Sequence, residues 1–83
     1  MNEEDRQSRL ASLAHLKAMA EKAYDDMYDA HSFRDAGDCY RDARDCFDDA
    51  IGLAGDLGLE AEKDALGQRL AHVKAVFRSQ FAV

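Results

Sequence analysis

Ala36-Gly37-Asp38-Cys39-Tyr40-Arg41-Asp42-Ala43-Arg44-Asp45-Cys46-Phe47-Asp48-Asp49-Ala50-Ile51-Gly52-Leu53-Ala54-Gly55 is the stretch on which the fold turns. Ala36, Tyr40, Ala43, Phe47, Ala50, Ile51 and Ala54 recur at three- and four-residue steps, which places them on one face of a helix. Asp38, Asp42, Asp45 and Asp49 form a second, acidic face. Arg41 with Asp45, and Arg44 with Asp48, stand at i,i+4 and are expected to pair, each worth only a few tenths of a kcal/mol. Gly55-Asp56-Leu57-Gly58 reads as a stop, with a glycine available for a left-handed cap. The predicted helix spans about 36–55.

The same period continues on both sides. Upstream, Leu10, Leu13, Leu16, Ala20, Ala23, Tyr24, Met27 and Ala30 predict a helix over about 5–30, with Glu3, Glu4 and Asp5 at the positive end of its dipole. The pattern lapses at His31-Ser32-Phe33-Arg34-Asp35, which reads as the break. Downstream, Leu66, Leu70, Val73, Phe77 and Phe81, with Ala65 and Val76 beside them, predict a helix over about 59–81. Its acids, Glu60, Glu62 and Asp64, come early and Arg69, Lys74 and Arg78 late, as the dipole favours. No period-two alternation of useful length occurs, so no strand is expected. The expectation is a single all-α domain over 1–83, three antiparallel amphipathic helices joined by short breaks.

Composition narrows the partners. The 83 residues carry 47% hydrophobic and 34% charged side chains and a formal charge of −6. That balance suits a globular chain and argues against nucleic acid as a main partner. No apolar run approaches the roughly 18 residues of a membrane span, and the acidic start is unlike a secretory signal. Cys39 and Cys46 are seven residues apart. On one helix that is about 10 Å, too far for a disulfide between them, so two buried thiols in a reducing cytoplasm are expected.

From 40 to 81 the chain resembles a tetratricopeptide repeat. Ala43, Phe47 and Ala50 carry the small-aromatic-small spacing of the family's second helices. The Leu57-Gly58 turn resembles the family's helix closure, and Ala65-Leu66-Gly67 the opening of a next first helix. The Trp-xx-Leu-Gly-xx-Tyr pattern of first helices is absent; Tyr24-xx-Met27-Tyr28 stands nearest to it. Only about one and a half repeats would fit, fewer than a solenoid needs. The expected architecture is therefore a compact three-helix unit, tetratricopeptide-like or a simple three-helix bundle. The resemblance implies stacked helix hairpins that bind peptides or other proteins. One internal echo, Leu13-Ala14-His15-Leu16-Lys17-Ala18 against Leu70-Ala71-His72-Val73-Lys74-Ala75, would make the outer helices equivalent partners of a shared middle one.

Candidate chemistry is sparse. If the first two helices ran on unbroken, His31, Asp35 and Asp38 would converge on a metal; at a junction they are caps and surface residues. His15 with Lys17 resembles the histidine phosphotransfer motif but is one residue short, which turns the lysine about 200° away. The acidic stripe lacks the spacing of a calcium loop. No nucleophile elbow or phosphate loop is present, so no enzyme activity and no cofactor are expected.

The expected function is a small cytoplasmic protein–protein interaction module that self-associates. Its expected contact residues are Tyr24 and Tyr28, the stripe Asp38, Asp42, Asp45 and Asp49, and the apolar end Val76, Phe77 and Phe81. A repeat array would stack another helix on that end. Here the sequence runs apolar to Val83 and stops, so a second copy or another protein is expected to cover it. A small metal- or ligand-binding helical protein centred on His31 is the alternative, and a histidine phosphotransfer protein a minor one.

Overall fold

The computed structural model describes residues 2–81, which form α1 (Glu3–Asp29), α2 (Phe33–Asp56) and α3 (Glu60–Gln80), with no strand among them. The protein is all-α. Its start is fixed by Asn2, whose side-chain oxygen accepts from the Asp5 amide at 2.8 Å. This cap begins α1 two residues before the first acid of the predicted span.

The first break is tighter than 31–35. Ser32 Oγ accepts from the Asp35 amide at 3.1 Å and caps α2, so the helix begins at Phe33. Phe33 falls off the apolar stripe because it faces solvent, at 55% exposure. A stripe that records burial could not include it.

The second break has a chain-reversing cap. Gly58 takes φ +72°, a left-handed conformation that costs a residue with a Cβ. Its amide donates to the Gly55 carbonyl at 3.1 Å and the Leu59 amide to the Ala54 carbonyl at 2.9 Å. Those two bonds are the Schellman pair, which satisfies the last carbonyls of α2 and releases the chain into α3.

Residue pairs fix the directions. Residues 17, 21, 24 and 28 of α1 face 62, 69, 72 and 81 of the α3 segment in rising order, so those two helices run parallel. α2 runs against both and packs on both, sharing the larger interface with α1. The backbones of α1 and α3 scarcely approach, and long side chains close the gap between them. The result is a slab of 47 × 19 × 12 Å.

Phe47, Met27 and Val73 are the largest fully buried side chains, one from each helix. Around them α2 contributes Ala36, Ala43, Ala50 and Ala54, all buried. Alanine lets the middle helix approach both neighbours but removes little apolar area from water, so Phe47 is the one large side chain of α2 that is fully buried. Arg6 donates to the Leu57 carbonyl at 3.4 Å and ties the start of α1 to the end of α2.

Candidate protein-interaction surface

The acidic face is in solvent. Asp38, Asp42, Asp45 and Asp49 are all exposed on the side of α2 away from Phe47. The expected i,i+4 pairs do not form on it. Arg41 reaches back to Asp38 at 3.0 Å, and Arg44 stands 3.5 Å from Asp45 with its guanidinium 5.9 Å from the Tyr40 ring centre. An acid preceding its base follows the helix dipole, which favours Asp38 over Asp45 as the partner of Arg41. Charge is unevenly shared. Seven acids and three bases leave α2 at −4, seven and four leave α1 at −3, and three and four leave α3 at +1.

The parallel course of α1 and α3 brings their carboxyl ends together with the amino end of α2. An aromatic chain results. Tyr40 stacks on Phe77 at 4.1 Å between ring centres and 8° between planes. Phe77 lies 6.0 Å from Phe81, Phe81 meets Tyr28 edge-on at 5.9 Å, and Tyr28 meets Tyr24 edge-on at 5.3 Å. The Tyr24 and Tyr28 hydroxyls are hydrogen-bonded at 2.9 Å. That bond, followed by burial, raises the pKa of Tyr24.

The expected contact residues therefore divide. Tyr24 is buried and cannot meet a partner; its ring belongs to the α1–α3 seam. Val76, Phe77 and Phe81 are half-buried; Tyr40 covers one side of Phe77, and Tyr28 one side of Phe81. Tyr28 remains 46% exposed, and Phe33, two turns before Tyr40 on the same side of α2, is more so. Val83 lies outside the described residues.

Four residues of this seam carry no signal in a single-helix reading. Arg69 grips Glu21 with two hydrogen bonds, 2.9 Å from Nε and 2.7 Å from Nη2, and its guanidinium lies 4.9 Å from the Tyr24 ring centre. The Arg69 hydrogen bond holds the Glu21 carboxyl below its ordinary pKa. Lys17 pairs with Glu62 nearer the other end. The alternation of helix directions could have revealed them, since it sets α1 and α3 parallel and side by side on α2.

His31, Asp35 and Asp38 are not brought together. The metal geometry needs an unbroken helix, and the Ser32 cap starts a new one after His31. Among the described residues, no three His, Cys, Asp or Glu side chains are grouped to hold a metal ion. His15 is exposed and Lys17 is turned to Glu62, so the phosphotransfer pair does not share a face either.

Cys39 and Cys46 are free and half-buried. Burial first, then the surrounding aspartates, raises both thiol pKa values, which disfavours the reactive thiolate. Cys46 lies in a groove of about 390 Å³ between α1 and α2, with Met19, Ala23, Lys22, Asp26, Asp42 and Asp45. Among the described residues no helix is long and apolar enough to cross a membrane. No protein-family model, curated protein or solved structure matches this chain.

Proposed function

We propose that this protein is a small protein–protein interaction module that self-associates through its aromatic end. The carrying observation is the exposed edge of the aromatic chain: Tyr28 is 46% exposed against half-buried Phe81, and Phe33, 55% exposed, stands two turns before Tyr40 on the same side of α2. Aromatic groups left in water beside an ordered apolar cluster gain by being covered, and such groups dominate protein interfaces. The exposed aspartates of α2 supply the second element, a field that draws basic partners at low salt.

Repeat-like hairpin geometry supports the same reading. α2 serves both neighbours, and Leu13 and Leu70 of the echoed segments are both buried while His15 and His72 are exposed. The two free thiols suit a reducing cytoplasm.

The test is absolute mass by light scattering behind a sizing column, with and without reductant. The expected result is at least twice the 9.3 kDa of one chain, unaffected by reductant, falling toward one chain in Phe33→Asp. Phe33 is exposed at the first position of α2, where an acid suits the helix, so the variant keeps its fold. A monomer persisting at about 1 mM, where a contact of about −4 kcal/mol would still populate dimers, refutes self-association.

A further inference from the structure

The groove between α1 and α2 combines two properties, and both helices contribute to each. Its floor is apolar: Met19, 44% exposed, with Ala23 and the half-buried Cys46. Its rim is acidic: Asp42 and Asp45 from α2, and Asp26 from α1. The one base there, Lys22, is already hydrogen-bonded to Asp26 at 2.9 Å. Asp42 has no cationic partner among the described residues, and Asp45 has only its sequence neighbour Arg44 at 3.5 Å. The groove is open to solvent, so it covers one side of an occupant instead of engulfing a small molecule.

From this we infer that the groove docks a basic amphipathic helix: one or two aliphatic side chains seated on Met19, Ala23 and Cys46, with flanking Lys or Arg on Asp42 and Asp45. The inference rests on the interaction-module reading and names the partner's chemistry. Charge complementarity selects it. A second copy arrives at −6 and meets a groove whose two helices stand at −4 and −3, so like charge opposes it. A lysine- or arginine-bearing helix meets the same rim favourably, and helix-in-groove docking supplies the apolar anchor.

The probe is a fluorescent lysine-rich helical peptide with a leucine pair at i,i+4. Two controls replace the leucines by serine or the lysines by glutamate. Binding is read by fluorescence anisotropy against the intact protein. The leucine–lysine peptide should bind, and both controls should bind at least about tenfold more weakly. Asp42→Asn with Asp45→Asn should weaken binding about five- to tenfold and flatten its dependence on salt between about 50 and 300 mM. Both positions are exposed, so the fold is kept. Bound peptide should also slow alkylation of Cys46 in a Cys39→Ser background.

Equal binding of the serine control would reduce the site to charge adhesion and overturn the proposal. So would no binding, or no effect of the aspartate variant. If the aspartate variant instead abolished self-association, the groove would belong to a second copy, and the proposal would fall. No peptide binding by a protein that still dimerises through Phe33 would remove this site alone. A monomer that binds no peptide would remove the module reading as well.

Discussion

Replacing Phe47 by alanine should cost about 3–5 kcal/mol, with the upper part of that range expected. The side chain is 1% exposed and is the largest that is fully buried. Ala43 and Ala50 flank it on the same face of α2 and have no side-chain freedom with which to fill the space. A domain of 83 residues has roughly 4–12 kcal/mol of stability in total, at about 0.05–0.15 kcal/mol per residue. One substitution would thus remove a third or more of it. Urea unfolding followed by circular dichroism at 222 nm checks the figure, with the midpoint expected to fall by at least about 2 M at a slope near 1–2 kcal/mol/M. Thermal midpoints should fall by about 15 °C or more. Phe47→Leu, which keeps most of the volume, should cost less than about 1.5 kcal/mol. A loss below about 1 kcal/mol in Phe47→Ala would mean that the ring is not the centre of the core, and the alanine-lined packing of α2 would have to be redrawn.

Glycines should separate by conformation. Gly58→Ala should destabilise by about 1–2 kcal/mol from its left-handed backbone, although nothing lies within 4 Å of the new Cβ; Gly52→Ala, helical and equally unobstructed, should stabilise by about 0.4–1 kcal/mol in the same urea assay. The Glu21–Arg69 pair is about two-fifths exposed, so a double-mutant cycle should return no more than about 1 kcal/mol, shrinking in 1 M salt; coupling unchanged by salt would refute a screened ion pair. Because Arg69 lowers the Glu21 pKa, this contribution is present above the ordinary carboxylate range and is lost as pH falls through the lowered value; Glu21→Gln should remove that part of the acid dependence. Alkylation of Cys39 and Cys46 should reach half-maximal rate at a more alkaline pH than free cysteine, and a rate already at plateau at pH 7 would contradict the raised thiols.

Helix number and type were legible because burial in a helix leaves a period, and α2 has a particularly clean one, from Ala36 to Ala54. The helix starts were less so. Asn2 and Ser32 act through one local hydrogen bond each, and exposed Phe33 obscured the second. Gly58 was readable because its turn needs a residue without a Cβ. Between helices the reading stopped short. Tyr24 with Tyr28, and Phe77 with Phe81, were each visible as i,i+4 pairs, but their meeting depends on the register of two helices that share only side-chain contacts. Glu21 and Arg69 lie 48 residues apart, and nothing local marks either one. Helix faces were thus accessible from spacing, whereas partners across the seam required the three-dimensional arrangement.

The unequal interfaces set an order of opening. α1 and α2 share the broader contact, while α3 is held by a smaller one plus the Glu21 and Lys17 bridges, which water and salt can loosen. Amide hydrogens of α3 should therefore exchange through a cheaper, sub-global event than those around Ala43 and Phe47, leaving an α1–α2 hairpin as the last cooperative unit. Raising the salt should widen that difference, because it weakens the bridges and spares the apolar contacts. In such a partly opened state the apolar flank of α2 that carries Tyr40 and Ile51 would be bared while the rest of the chain stays folded. That flank is the surface through which a neighbouring copy could exchange its own third helix.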